Sequence, residues 1–343
     1  MNNSVCAVVV TYNRKELLVK CIDSLINQSL NVDAIYIVDN DSTDNTPELL
    51  SDYGFITSLP PVNYESMWSC DNEYENIHIR YMKLPENIGG AGGFYEGVKE
   101  AYLDEYDWVW IMDDDAFPTE DCLMELSPYY HLEDTVALAS LKVDLDDNIL
   151  YHHRGYFNFN HGLPIQIPIS HEDTLVDVKD IDMVSFVGLL VKRSAIERIG
   201  YPKREFFIHS DDLEYCIRLR SVGKIKLINK SVIKHAEGST TGTFTKTVLG
   251  FDVDRRLYDK LWINYYMQRN LIWLGRKYST NKLSLYATII KNYLLTCMGI
   301  ILFDDHKFNR LRFYTNSYID GFKSIFDNKK PRRILYKEEL LWE

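Results

Sequence analysis

Three consecutive aspartates, Asp113-Asp114-Asp115, follow the apolar run Trp108-Val109-Trp110-Ile111-Met112. Side chains alternate along a strand, so the first and third carboxylates can face the same way. Two hard carboxylates on one side suit Mg²⁺ or Mn²⁺, and such an ion bridges diphosphate oxygens. It would offset charge growing on a departing nucleoside diphosphate. Alone, the triplet is equally an acidic turn or helix cap, since Pro118 and Glu120 follow. Its weight comes from its company. Asp39 ends another apolar run, where an acid accepts hydrogen bonds from a uracil or a ribose or caps the next helix. Thr11-Tyr12-Asn13-Arg14 offers backbone amides and one guanidinium to a base or a phosphate. Gly89-Gly90-Ala91-Gly92-Gly93 lacks the Lys-Ser/Thr of a P-loop. Small residues ahead of a helix still permit close backbone approach to a ligand, with amides facing it.

A second acidic pair, Asp211-Asp212, opens a helical stretch. One of the two can act as general base toward a hydroxyl while the other positions it, although acids also simply cap helix starts. His235 follows a strand-like run and could complete the shell of a metal through an imidazole nitrogen. His152 and His153 lack such company and are read as loop residues.

The elements that must position these groups alternate. Val5 to Val10 reads as a buried strand, and Lys15 to Gln28 carries apolar residues at helical spacing. Ala34 to Asp39 is a second strand, followed by a polar turn and a helix beginning at Pro47. Ile77 to Leu84 and Trp108 to Met112 are further strands, with a helix from Phe94 to Glu105 between them. Such alternation predicts right-handed βαβ units and a mostly parallel sheet. Ligands gather beyond the carboxyl ends of strands in such sheets, and Thr11, Asp39, the glycine cluster and Asp113 all sit there. Val136 to Val143 and Met183 to Val191 read as later strands flanking an aromatic, His-rich loop at Tyr151 to His161. From Leu261 the pattern is helical; Leu283 to Leu302 is almost wholly apolar but carries Lys291, which fits an interfacial or packed helix better than a membrane span. Pro331 is expected to end the helical part.

The 343 residues carry a formal charge of −12, which argues against nucleic acid as a partner. Between Arg276 and Lys337, however, 13 Lys or Arg face 4 Asp. A basic C-terminal portion on an acidic body suggests anionic lipid headgroups. Six scattered cysteines without C-x-x-C spacing point to reduced thiols rather than a disulfide or zinc framework. Met1-Asn2-Asn3-Ser4 leads into a strand without a basic signal-peptide segment, so a cytoplasmic location is expected.

The order Thr-Tyr-Asn-Arg, Val-Asp-Asn-x-Ser-x-Asp, Asn-x-Gly-Gly, Asp-Asp-Asp, Ser-Asp-Asp and His resembles the inverting family 2 glycosyltransferases of GT-A fold, over roughly residues 5 to 240. Within them the chain looks most like bacterial galactofuranosyltransferases and related rhamnosyltransferases. The stretch from Asn87 through Gly89 and Gly90 to Phe94, with Met112 to Asp115, is the part most specific to the galactofuranosyl branch. The resemblance implies a Rossmann-like, mostly parallel α/β domain over 1–245 and a helical region over 246–343. It implies that Thr11, Asn13, Arg14 and Asp39 bind the uridine diphosphate, and Tyr12, Asn87, Gly89, Gly90, Asp113 and Asp114 are expected to join them in holding the donor. It further implies Asp113, Asp115 and His235 as ligands of Mn²⁺ or Mg²⁺, and Asp212 as base with Asp211 beside it. Asp114 is expected to face away from the ion. Ser210 departs from the pattern, because the galactofuranosyl enzymes carry Trp there, on the acceptor side.

The expected activity is transfer of galactofuranose from UDP-galactofuranose onto a glycan, lipid-linked and met at the membrane face, in surface-polysaccharide (O-antigen or capsule) synthesis. The expected partners are the nucleotide-sugar, the glycan and a peripheral membrane surface; self-association is compatible with the sequence. A rhamnosyltransferase using dTDP-rhamnose is the near alternative. A nucleotidyltransferase, or a non-catalytic sugar-nucleotide-binding protein, is the remote one.

Overall fold

The computed structural model describes residues 3–236, 242–248 and 251–336; Met1, Asn2 and Lys337 lie outside them. The chain divides into two compact units. One comprises Met1–Tyr156, Ile167–Arg204 and Asp211–Glu237; the other comprises Phe157–Gln166, Glu205–Ser210 and Gly238–Glu343.

In the first unit, β1 (Val5–Thr11) is buried at every position, as a strand covered on both faces must be. It is followed by α1 (Lys15–Ile26), β2 (Ala34–Asp39), α2 (Thr46–Asp52), β3 (Trp68–Tyr74), β4 (Ile77–Lys83), α3 (Gly89–Leu103) and β5 (Trp108–Asp113). Then come β6 (Ala116–Pro118), α4 (Cys122–Leu126), β7 (Thr135–Val143), β8 (Arg154–His161) and β9 (Leu163–Pro168), of which Phe157–Gln166 belongs to the second unit, then β10 (Val178–Ile181), β11 (Met183–Val184) and β12 (Leu189–Lys192). The last elements are α5 (Arg193–Ile199), α6 (Asp211–Arg220) and β13 (Lys224–His235). The main sheet runs β10-β13-β7-β12-β5-β1-β2-β4-β3, with β6 paired to β13. β4, β2, β1 and β5 are parallel neighbours, as are β7 and β13. β12 is antiparallel to both β5 and β7. The sheet is thus mixed but mostly parallel, as the alternation of strands and helices predicts.

Alternation along β1 divides the core. Val5, Ala7 and Val9 pack with Leu18, Leu25 and Leu123 of α1 and α4. Cys6, Val8 and Val10 face Val98, Ala101, Ile196 and Leu219 of α3, α5 and α6. Helices therefore cover both faces, and only the strand ends are left for chemistry.

Five sequence expectations need correction. The glycine run does not precede its helix: α3 starts at Gly89, not Phe94. A Cβ at Gly93 would stand 2.6 Å from Val10 Cγ1, and one at Gly97 2.3 Å from Val8 Cγ1, so the small residues let the helix lie against β1. The aromatic stretch near Tyr151 to His161 is largely strand, β8, turning at Gly162 (φ +82°) into β9; its alternating aromatics are good strand formers. Met183 to Val191 is two strands, broken before Gly188, whose φ is +78°. The hairpin β14 (Thr243–Val248) and β15 (Phe251–Arg256) was not expected. Pro331 does not end a helix but sits in the first turn of a short one, where its missing N–H costs nothing.

The second unit holds that hairpin and four helices: α7 (Trp262–Tyr278), α8 (Lys282–Phe303), α9 (Lys307–Lys323) and α10 (Lys330–Leu335). Leu163, Ile272, Leu285, Ile289 and Tyr318 form one apolar cluster; Leu261, Tyr265, Phe313 and Leu335 form another. Buried Asp320 accepts from the Tyr265 hydroxyl at 2.6 Å and from Lys330 Nζ at 2.8 Å.

Candidate nucleotide and metal site

Strand register brings the polar groups of the first unit into one row. Thr11 lies opposite Asp39, Asp39 opposite Lys83, and Val10 opposite Asp113. After Asp113 the chain turns through Asp114 and Asp115 into β6, whose Ala116 pairs with His235 of β13. The amide of Ala236 donates to the Asp115 carbonyl at 2.9 Å. His235, 120 residues from Asp115 in the sequence, is delivered by this pairing.

The donor atoms of Asp113, Asp115 and His235 all lie within 4.8 Å of one another. Asp115 Oδ1 is 3.0 Å from His235 Nε2, yet it has no aligned hydrogen-bond partner among the described residues; nor has His235 Nδ1. Burial, then the neighbouring charges of Asp115 and Asp114, push the Asp113 carboxyl well up. Against the effect of its own burial, Asp115 is held low by His235 and Arg14. Crowded buried carboxylates with an orphaned oxygen are what a divalent cation would neutralise. Two carboxylates and an imidazole fit Mn²⁺ well and Mg²⁺ less fully.

Asp114 points elsewhere. Its Oδ2 accepts from Thr11 Oγ1 at 2.7 Å, and its Oδ1 lies 3.4 Å from Arg14 Nη1. Arg14 Nη1 is also 2.6 Å from Asp115 Oδ2, so one half-exposed guanidinium ties the triplet to the β1–α1 loop. Asn13 is in the left-handed region (φ +54°). It joins two loops: its amide donates to Ser42 Oγ at 2.9 Å, and its Oδ1 accepts from the Thr43 amide at 2.7 Å. The Tyr12 side chain is exposed.

Asp39 is fully buried. Its Oδ1 accepts from the Ser42 amide at 2.6 Å, and its Oδ2 from the Tyr81 hydroxyl at 2.5 Å, with Lys83 Nζ at 3.4 Å. An ionised carboxylate offers roughly four acceptor positions, so about one is left for a ligand. Tyr81 and Lys83 are not among the expected site residues; their positions two apart, on one face of the strand Ile77 to Leu84, are the signal the sequence offers for them. Asn40 Oδ1 accepts from the Ile88 amide at 2.9 Å, and Asn87 Oδ1 from the Gly89 amide at 2.8 Å. These two asparagines hold the start of α3 beside the β2 end. Among the described residues, nothing stands within 4 Å of a Cβ placed at Gly90.

Asp211 and Asp212 begin α6, and their surroundings differ. Asp211 adds to the charges that press on Asp113, whereas Asp212 feels the buried Arg154 guanidinium. Burial raises both carboxyls, and the charge of Asp212 raises Asp211 further. The Leu213 amide, donating to Asp212 Oδ1 at 2.7 Å, and then Arg154 hold Asp212 back. Acids whose environments push them apart divide into proton holder and base. Arg154 was not singled out in the sequence; its side chain is fixed by the carbonyls of Ser140 and Val187. In the second unit, the residues just before Asp211 are strained: Phe207, His209 and Ser210 all have φ between +63° and +67°. Asn270 Nδ2 donates to the carbonyls of Phe206, Ile208 and His209 there, and Arg269 to those of Glu205 and Phe206.

Residues 6–200 match the family model described as glycosyl transferase family 2. The chain belongs to that family. This family 2 chain is 28% identical over 221 residues to the galactofuranosyltransferase GlfT1 of Mycolicibacterium smegmatis, a match covering 63% of this chain and 65% of the relative. It is also 28% identical over 227 residues to GlfT1 of Mycobacterium tuberculosis, covering 64% and 65%. It thus spans just under two thirds of the length of the relatives it matches. Among solved structures it resembles GalNAc-T7, crystallised with UDP, GalNAc and Mn²⁺, at TM-score 0.54 and 11% identity, covering 81% of this chain and 52% of that one. It also resembles TarS of S. aureus, at TM-score 0.54 and 11% identity, covering 97% and 50%. At such identities these likenesses concern the fold, which is the GT-A type.

Proposed function

We propose that this chain is a metal-dependent, inverting glycosyltransferase that moves galactofuranose from UDP-galactofuranose onto a glycan acceptor. The observation that carries the reading is the convergence of Asp113, Asp115 and His235 within 4.8 Å at the end of β5, with Thr11 on the adjacent β1 and Asp39 on β2 beyond it. The 28% identity to galactofuranosyltransferases supports the choice of sugar. Asp113, Asp115 and His235 would hold Mn²⁺ or Mg²⁺. When bound, the ion supplies Lewis-acid neutralisation of the leaving diphosphate.

The chain's own groups do the rest. Asp39 and the Thr11–Arg14 segment bind the uridine end, and Arg14 pairs with diphosphate oxygens. Asn87, Gly89 and Gly90 bring backbone close to the donor. Asp212 takes the proton of an acceptor hydroxyl, that oxygen bonds to the anomeric carbon, and the bond from that carbon to the diphosphate oxygen breaks, inverting the centre. Asp211, whose carboxyl burial and then the charge of Asp212 push up to about 8, can in its protonated form donate a hydrogen bond that orients the acceptor. The acceptor we infer is lipid-linked and met at the cytoplasmic membrane face in surface-polysaccharide synthesis, a reading supported by the basic C-terminal portion.

A donor panel tests this. With Mn²⁺ present, purified protein should release UDP from UDP-galactofuranose when acceptor is added, and release little dTDP from dTDP-rhamnose. Preference for dTDP-rhamnose would overturn the sugar assignment, and release of pyrophosphate would overturn the reaction class. If UDP binding raised the melting temperature equally with and without Mn²⁺, the metal role would be wrong.

A further inference from the structure

We infer that one face of α8 is a lipid-binding surface that lies in the plane of an anionic membrane interface. The helix is 22 residues long with a mean hydropathy of 1.5 over its most apolar window, which makes it about 33 Å in length. Its burial is one-sided. Leu285, Ile289, Gly299 and Ile300 turn inward, where Leu285 and Ile289 join Leu163, Ile272 and Tyr318. Leu283, Tyr286, Ile290, Leu294, Met298 and Ile301 turn outward, with exposures from 44% at Tyr286 to 85% at Leu283. These positions recur at three-, four- and seven-residue spacing and so form one stripe. The stripe leaves on the order of 800 Å² of apolar side chain in water, above what monomers ordinarily expose in one patch.

Three observations choose the occupant. The inner face is packed within the protein, so the helix cannot be surrounded by lipid as a span would be. Lys291 is exposed midway along the outer face; at the centre of a bilayer it would be costly, whereas in the interface plane its stem lies along the apolar surface and its ammonium reaches headgroups. Lys282, Lys307 and Arg312 are exposed at and just beyond the ends of the helix, beside Phe308 at 77% exposure. These exposed cations, together with Lys291, complement anionic lipid and would repel a second copy of the same face.

The α8 stripe would carry the membrane contact proposed above, and its binding is tested without donor or acceptor. The full chain is sedimented with vesicles of phosphatidylcholine alone and of equal parts phosphatidylcholine and phosphatidylglycerol. It should partition onto the mixed vesicles at least tenfold more strongly, and less so as salt is raised. The Ile290→Glu/Leu294→Glu variant should lose at least tenfold of that binding with an unchanged melting temperature, and Leu283→Glu should weaken it less. A wild type left in the supernatant with both vesicle types, or a double variant that still binds, would overturn the proposal. So would a dimer in solution that becomes monomeric in the double variant, which would give the face to a second copy. A chain that binds mixed vesicles yet transfers no sugar would leave this proposal standing and sink the transferase reading.

Discussion

The first unit buries charge, whereas α8 in the second exposes apolar surface, and each departs from ordinary burial in the opposite direction. Asp39, Asp114, Asp115 and Asp211 are all under 9% exposed, although ionised carboxylates resist leaving water. On α8, Leu283 keeps 85% of its surface in water, although burial would stabilise it. Both arrangements cost folding free energy. The difference lies in what could offset the cost: in the first unit a cation and a diphosphate, in the second a hydrocarbon boundary. Local violations of folding rules are where binding partners should be sought.

Asp212→Asn should lower kcat by roughly a thousandfold, since general-base catalysis contributes about 10²–10⁴, while UDP binding followed by calorimetry stays within twofold. In the parent protein the rate should rise with pH through about 6, because burial raises Asp212 to that value and only its ionised form accepts a proton. A flat profile from pH 5 to 8, or a variant with near-normal kcat, would remove Asp212 from the chemistry.

Next, His235→Ala should weaken Mn²⁺-dependent UDP binding by roughly 10–100-fold, on the scale of perturbed metal shells, with metal-free UDP binding unchanged. An equal loss in both conditions would make His235 structural. A smaller effect is expected where the first unit is merely packed. Gly97→Ala should destabilise by about 1–3 kcal/mol, read from urea unfolding, because its Cβ would meet Val8 Cγ1 at 2.3 Å. The smallest belongs to the other side of the comparison. Leu283→Ser should change stability by less than about 0.5 kcal/mol while improving solubility; a loss beyond 1 kcal/mol would mean that the residue is covered in solution.

Much of this is legible in the sequence. The β-branched run from Val5, the alternation with helices, and acids or small polar residues at strand ends sufficed to place Thr11, Asp39 and Asp113 at one edge. They sufficed because strand and helix periods are local, and a parallel sheet aligns its carboxyl ends. The C-terminal helices were legible for the same reason, as was the apolar character of α8. Local signals failed where packing decides. The glycines from Gly89 were placed ahead of a helix, because only the approach of α3 to β1 shows why they belong inside it.

What the sequence by itself determined is the set of chemical groups and their rough station along the chain. It could not tell that Asp39 already serves Ser42, Tyr81 and Lys83, because strands β2 and β4 meet only through pairing. The resemblance alone put His235 with Asp115; the cause, β13 pairing with β6 in one register, is tertiary, as is the closeness of Arg154 to Asp212. The separation of the two acids opening α6 and the side of α8 left in water are likewise decided by neighbours distant in sequence. Composition can name a carboxylate or a leucine; only tertiary structure settles how much water, charge and hydrogen bonding each one keeps.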